Sequence, residues 1–146
     1  MLFAKIILVP IIAGLIAQLA KVLVEAVRTG HVNLALLNRY GGMPSSHTAL
    51  VVSLTTVVGL VDGINSPAFV IALVFSVVTI RDAIGFRMYL GEHARIINKL
   101  IGQLPAKERP KFPTHIVERI GHTPLEAIIG GLVGLTSTLI FWLIIP

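Results

Sequence analysis

Four long apolar stretches dominate the chain, and polar or glycine- and proline-rich segments separate them. They cover residues 6–20, 49–61, 67–80 and 127–145. With its flanks, each reaches roughly 20 residues, the length that an α-helix needs to cross the hydrocarbon core of a bilayer. The first stretch continues through Lys21 without a small-residue cleavage site, so we expect a span there rather than a cleaved leader. The pattern predicts four spanning helices.

Two long connections link these spans. Residues 30–43 contain histidine, asparagine, arginine and three glycines, and they predict a polar loop packed against the membrane. In the second connection, residues 86–100 mix apolar and charged positions at helical spacing, which predicts an amphipathic interfacial helix. A loop follows, because glycine and three prolines interrupt regular structure between residues 102 and 113. The expected fold is an all-α polytopic membrane bundle, with four spanning helices plus one amphipathic interfacial helix in a single domain, residues 1–146.

Composition indicates that the bilayer, rather than water, is the main solvent of this chain. Of its 146 residues, 55% are hydrophobic and only 13% are charged, which is too apolar for a soluble domain. The absence of cysteine excludes a disulfide framework, a thiolate metal site and a cysteine nucleophile. A bundle of four or five helices is thin, and a homodimer is compatible with it.

The net charge of +5 is distributed by loop. Apart from Lys5, every basic residue lies in or beside the two long connections: Lys21, Arg28 and Arg39 in the first, and Arg81, Arg87, Arg95, Lys99, Lys107, Arg109, Lys111 and Arg119 in the second. Residues 62–66 contain none. By the positive-inside rule, both long connections are cytoplasmic and both termini lie outside a cell membrane that the chain crosses several times. The charges therefore indicate topology and attraction to anionic lipids rather than a nucleic-acid partner.

Polar residues are concentrated directly before the second apolar stretch, in the run Gly-Gly-Met-Pro-Ser-Ser-His at 41–47. Glycines permit close backbone approach, and Ser45 can cap the following helix, which leaves N–H groups around Ser45 and Ser46 directed at an anion. His47 lies in the first turn, where it can donate a proton to that anion or its leaving group. A simple alternative is a capped helix start with an interfacial histidine.

A second polar run, Gly-His-Thr-Pro-Leu-Glu at 121–126, precedes the fourth stretch. Thr123 and Glu126 have the spacing of a capping box, with Pro124 at the first helical position, so Glu126 has an ordinary structural role available. His122 and Glu126 are also four residues apart, so the carboxylate can reach the imidazole and fix its tautomer. Two histidines at matching helix starts suit a nucleophile and a general acid.

Two cations end the first span. Lys21 and Arg28 are seven residues apart, so both project from one helix face toward the cytoplasmic end. A pair of cations on one face suits a phosphate group. Flanking charges that reach the interface are the alternative interpretation.

Taken together, these groups resemble the divergent bacterial and plant branch of the type 2 phosphatidic acid phosphatase and vanadium haloperoxidase superfamily. The lysine and arginine of the superfamily's first motif match Lys21 and Arg28, but Thr29 replaces its proline. The second motif, Pro-Ser-Gly-His, matches residues 44–47, with Ser46 in place of glycine. The third matches only in part. The resemblance covers most of the chain.

In that third motif, a histidine is followed four residues later by aspartate; His122 and Glu126 match this pair, with glutamate replacing aspartate. The motif's arginine has no counterpart at the usual distance, and it stays open between Arg119 and Arg87. The divergent branch is also similar in an aspartate and arginine matched by Asp82 and Arg87.

The resemblance implies a lipid phosphate phosphatase that works without a cofactor or metal. His122 would attack phosphorus and form a phosphohistidine, Glu126 would orient His122, and His47 would protonate the lipid alkoxide and then activate water. Substrate binding would involve Lys21, Arg28, Ser45, Ser46, Asp82 and either Arg87 or Arg119. Combined with the predicted topology, this indicates a lipid that presents its phosphate inside, such as phosphatidylglycerophosphate or phosphatidate.

Two other classes of function are weighed against this one. A metal-dependent lipid phosphotransferase needs clustered carboxylates, and Asp82, Glu92, Glu118 and Glu126 have no obvious ligand spacing. A zinc site from His47, His93 and His122 lacks a paired-histidine helix motif. A non-enzymatic lipid-phosphate-binding membrane protein is the second class, and the three residue replacements in the superfamily motifs keep it open.

Overall fold

The computed structural model describes residues 2–32 and 41–144, and residues 33–40, which include Arg39 and most of the first polar loop, lie outside them. Five α-helices make up the described chain: α1 (Leu2–Thr29), α2 (Ser46–Asp62), α3 (Pro67–Arg81), α4 (Arg87–Gln103) and α5 (Pro124–Ile144). No strand occurs among these residues. The all-α prediction is therefore confirmed.

Three helical segments are long and apolar enough to cross a membrane: Ala4–Thr29, Pro67–Gln103 and Pro124–Ile144. The fourth predicted span corresponds to α2, which is apolar but has only 17 residues. At about 1.5 Å per residue, α2 is roughly 25 Å long and slightly shorter than a typical hydrocarbon core. Three spans are thus supported by length and composition.

The second long connection differs from expectation at its start. Instead of a span followed by a separate interfacial helix, α3 and α4 form one continuous segment through a π-helical turn at Asp82–Phe86. No proline lies between Arg81 and Arg87, so the chain can remain helical through this region. The π-helical turn changes the hydrogen-bond spacing between α3 and α4. The predicted loop follows after Gln103, with a short 3-10 turn at Arg109–Lys111.

α2 lies at the centre of the bundle and packs against α1, α3 and α5. Buried residues repeat every four positions on three helices, and most of them are small or β-branched, which lets the helices approach closely. The α1 stripe is Val9, Ala13, Ala17 and Lys21, and the α5 stripe is Glu126, Gly130, Gly134 and Thr138. The α2 stripe consists of Ser45, directly before the helix, and Ala49, Ser53 and Val57 within it.

The α2 and α5 stripes meet residue for residue. A Cβ atom at Gly130 would collide with the carbonyl oxygen of Ser45, and one at Gly134 with that of Ala49. One turn farther along each helix, the hydroxyls of Ser53 and Thr138 are 2.6 Å apart and share a hydrogen bond. Together these contacts hold the beginnings of α2 and α5 side by side. The polar ends of the three stripes are Lys21, Ser45 and Glu126.

Candidate functional site

Ser45 is the N-cap of α2 and is fully buried. Its Oγ accepts from the backbone N–H of Thr48 at 3.4 Å and from the Thr48 hydroxyl at 3.0 Å. Its own N–H donates to the carbonyl oxygen of Glu126 at 3.1 Å. The expectation that the Ser45 N–H points at an anion is therefore wrong, because α5 uses this donor to attach the two helix starts.

The donors that remain at this helix start belong to Ser46 and His47. Their N–H groups precede the first intrahelical bond of α2, from Ala49 N to Ser45 O at 3.0 Å. Both therefore point out of the helix start, which favours an anion there. The His47 side chain is exposed beside them.

Gly41 and Gly42 bring the other two polar groups to this helix start. Both have positive φ, 77° and 95°, a conformation in which side chains are strained. A Cβ atom at Gly42 would lie 3.1 Å from Lys21 Cε, and one at Gly41 would lie 3.1 Å from the Gly121 carbonyl oxygen and 3.3 Å from Arg119 Cγ. The two polar runs and Lys21 therefore meet at one end of the bundle.

The predicted capping box at the start of α5 is present. The Glu126 N–H donates to Thr123 Oγ1 at 3.2 Å, and the Thr123 N–H donates to Glu126 Oε2 at 3.0 Å. The same Oε2 lies 3.2 Å from His122 Nδ1, and Oε1 accepts from Arg119 Nη2 at 3.0 Å. The structural and functional interpretations of Glu126 are thus compatible, because one carboxylate caps the helix and also binds the imidazole.

His122 is buried, with 7% of its surface exposed. Burial lowers the pKa of His122; the hydrogen bond and negative charge of Glu126 oppose this effect, while the charges of His47 and Lys21 add to it. A neutral imidazole whose Nδ1–H donates to Glu126 leaves its Nε2 lone pair available as a nucleophile.

The π-turn supplies a contact that the sequence did not predict. The Ala83 carbonyl in this turn accepts from the His122 backbone N–H at 3.0 Å, which attaches the loop before α5 to the end of α3. Across the same turn, Arg87 Nε donates to Asp82 Oδ2 at 2.6 Å. Arg87, Asp82 and Lys21 are all near enough to His47 for their charges to act on it. Asp82 therefore orients Arg87 beside the site.

The two cations of the first span differ in position. Lys21 is 7% exposed and lies against Gly42, whereas Arg28 is exposed in the last turn of α1. The seven residues between them correspond to about 10 Å along the helix axis, so the two cations share a helix face but do not lie at the same site. Within the described ranges, Arg28 has no hydrogen bond or ion pair with the other site residues, and its predicted role stays a prediction.

The two candidate arginines pair with different carboxylates at the site. Arg119 pairs with Glu126 and its side chain is 70% exposed, whereas Arg87 pairs with Asp82 and is 34% exposed. Among residues 2–32 and 41–144, no group of three or more histidine, cysteine, aspartate or glutamate side chains is placed to hold a metal ion.

Asn98 on α4 is a positioning residue that the sequence analysis missed. Its side chain donates to the Ile116 carbonyl at 2.8 Å and to Glu118 Oε1 at 2.8 Å, and it accepts from the Ile116 N–H at 3.0 Å. These bonds hold the extended segment that leads into Arg119 and His122. A lone asparagine on an amphipathic helix facing a proline-rich loop was the available signal.

Comparison with known protein families matches residues 2–137 to the family described as "Divergent PAP2 family". Among curated proteins, the chain is similar to the uncharacterized membrane protein YuiD of Bacillus subtilis (strain 168), with 37% identity over 138 residues that cover 88% of this chain and 87% of that protein. No solved structure matches the chain. The apolar helices and this relative support association with a membrane.

Proposed function

This chain belongs to the divergent PAP2 family, and from that premise we propose that it is a membrane lipid phosphate phosphatase, a phosphoric monoester hydrolase that works without a metal or cofactor. One observation carries the proposal: His122 is hydrogen-bonded to Glu126 at 3.2 Å, within range of the charges of His47 and Lys21. A nucleophile held by a carboxylate, beside a second histidine and a buried cation, suits phosphoryl transfer.

In the first step, His122 Nε2 attacks phosphorus and the bond from phosphorus to the lipid oxygen breaks. His47, in its protonated form, donates a proton to the departing alkoxide, so that the lipid leaves as an alcohol. Glu126 stabilises the positive charge that develops on His122, because its carboxylate is already fixed by Arg119 and Thr123. The product of this step is a phosphohistidine at His122.

In the second step, neutral His47 removes a proton from water as the water oxygen attacks phosphorus. The bond from phosphorus to His122 Nε2 breaks, inorganic phosphate leaves, and both histidines return to their starting states. Lys21 and the N–H groups of Ser46 and His47 hold the phosphoryl oxygens in both steps, and their fixed positions favour the charge of the transition state.

In this proposal, Arg87 is the arginine that corresponds to the third motif. Its neighbour His47 is the proton donor, and Asp82 holds the guanidinium there through a 2.6 Å bond. Arg119 instead orients Glu126. Arg28 acts at longer range, by attracting the anionic headgroup to the end of α1.

The proposed topology has four spans, in which α2 is the short central span, and α4 is the amphipathic helix at the interface. The site lies at the cytoplasmic face, and both termini lie outside, because the two basic connections flank the site. Phosphatidylglycerophosphate or phosphatidate is then the expected type of substrate. We further propose one integral-membrane domain, able to form a homodimer, with no nucleic-acid partner.

The test is phosphate release by the purified protein in detergent from a panel of lipid phosphates, without magnesium and with EDTA. Release that resists EDTA and is lost in both His122→Ala and His47→Ala is the expected result. Release only with added magnesium would replace the proposal with a metal-dependent lipid phosphotransferase. Binding of lipid phosphates without release would replace it with a non-enzymatic binding protein.

A further inference from the structure

A groove runs along the bundle between α1 and α2 and ends at His47. Its volume is about 350 Å³, and it is open to the surface of the bundle. The lining residues are Ile11, Gly14, Leu15, Gln18, Ser46, His47 and Leu50. Since Ile11 and Gln18 are seven residues apart on α1, the groove extends for about 10 Å along the helix.

The polarity of this groove changes along its length. Gln18, Ser46 and His47 line the end at the candidate site, whereas Leu15 and Ile11 line the part that lies deeper in the apolar stretch of α1. Such a gradient matches a lipid, with a polar headgroup at one end and hydrocarbon at the other.

Gly14 forms the floor of the groove. A Cβ atom there would lie at ordinary contact distances, 3.5 Å from the Leu50 side chain and 3.7 Å from the Ser46 carbonyl oxygen, so α1 and α2 lie close together at this position. Leu15 beside it is 57% exposed although it lies within a spanning segment. An exposed leucine next to a floor of glycine gives a hydrocarbon chain an apolar surface on two sides.

We propose that this groove binds one hydrocarbon chain of the lipid substrate and thereby places the ester oxygen at His47. The inference rests on the proposed function for the headgroup, and continuity of the groove with Ser46 and His47 carries it. A chain in the groove enters sideways from the bilayer and brings the leaving oxygen to the proton donor, while phosphorus faces His122. The groove therefore determines selectivity for the lipid part of the substrate.

The experiment uses the purified full chain in detergent and a phosphatidate with a photoactivatable diazirine in one acyl chain. Labelled positions are mapped by mass spectrometry in the wild type, in Leu15→Trp, which fills the groove, and in Leu132→Trp. Leu132 is a matched control, because it is a leucine of α5 with 55% exposure and does not line the groove.

Labelling concentrated at Ile11, Leu15 and Leu50, and reduced several-fold by Leu15→Trp but not by Leu132→Trp, is expected. In kinetic measurements, Leu15→Trp should raise KM for a long-chain lipid phosphate by about tenfold. The ratio of this KM to the KM for a water-soluble phosphate ester should rise by the same factor. Labelling spread evenly over the apolar surface, or unchanged in Leu15→Trp, would overturn the inference. The labelling experiment does not require turnover. Absence of phosphate release would refute the proposed function, but the labelled positions would still show whether the groove binds a hydrocarbon chain.

Discussion

His122 Nδ1 and Glu126 Oε2 lie 3.2 Å apart, in a pair that is buried at the start of α5. The same carboxylate oxygen accepts the Thr123 N–H, so the helix cap and the orientation of the histidine depend on one side chain. The pair cannot rotate freely, because Arg119 holds the second carboxylate oxygen. Helix initiation thus prepares the proposed nucleophile before any substrate arrives.

Replacing Glu126 with glutamine should lower kcat on the order of 10³-fold. An amide can donate to Nδ1, which favours the tautomer that carries its proton on Nε2 and so removes the attacking lone pair. Phosphate release from a lipid phosphate measures the effect. Glu92→Gln is the control, since Glu92 is exposed and pairs with Arg95. A Glu126→Gln rate close to that of wild type would contradict the assigned role.

Thr123→Ala separates capping from catalysis. It removes the Oγ1 acceptor of the Glu126 N–H but keeps the Thr123 backbone N–H that binds the carboxylate. We expect a loss of about 1 kcal/mol in the free energy of unfolding and a far smaller loss of kcat than in Glu126→Gln. Thermal unfolding in detergent and phosphate release test both parts. Equal losses of kcat in the two variants would show that Glu126 acts only as a cap.

The pH dependence of kcat/KM reports the state of His122, which must be neutral to attack phosphorus. Because burial lowers the pKa of His122, its acidic limb should lie below the ordinary histidine value of about 6.5. Glu126 raises this pKa, so Glu126→Gln should move the limb to still lower pH. The substrate's own ionisation is common to both proteins. A shift to higher pH would contradict the assignment.

Gly134→Ala should destabilise the bundle by about 1–3 kcal/mol, because the added methyl group collides with the Ala49 carbonyl oxygen. Gly131→Ala is a matched control in the same helix, where the new Cβ would lie 3.6 Å from Val52 in ordinary contact. Its higher helix propensity should leave the melting temperature equal or slightly raised. Both are read by thermal unfolding. Equal melting temperatures in the two variants would show that close packing of α2 and α5 is unimportant.

Asn98→Ala should reduce kcat by about tenfold to a hundredfold with little change in KM, since the segment before His122 loses three hydrogen bonds and its position. Lys99→Ala, at the exposed neighbouring position, is the control. Faster proteolysis within residues 112–121 should accompany the loss. Unchanged kcat in Asn98→Ala would show that this loop is positioned by other contacts.

Much of the site was predictable, because local chemistry determines it. Ser45 as an N-cap and the Thr123 and Glu126 capping box follow from short-range rules that need no knowledge of the fold. The contact between His122 and Glu126 follows from their spacing at a helix start. Apolar length likewise indicated the helices of the bundle.

The remainder depended on contacts between segments distant in sequence. The hydrogen bond from the Ser45 N–H to the Glu126 carbonyl forms only when α5 lies against α2. The glycines at 130 and 134 allow this close packing, but their presence alone does not predict it. The π-turn was also not predicted, because no residue pattern in 82–86 distinguishes it from the end of a helix. Arg28 shows the opposite limit: it shares a helical face with Lys21, but a spacing of seven residues places the two about 10 Å apart along the axis.

At the end of the bundle opposite the site, a cation–π contact joins α1 to α5. Lys5 lies 4.6 Å from the centre of the Trp142 ring, and Val9, Ala13 and Ala17 are buried between this contact and Lys21. Phosphate released at His122 would therefore return to the compartment that supplied the water. No charge would cross the bilayer during turnover, so the rate would be independent of the membrane potential.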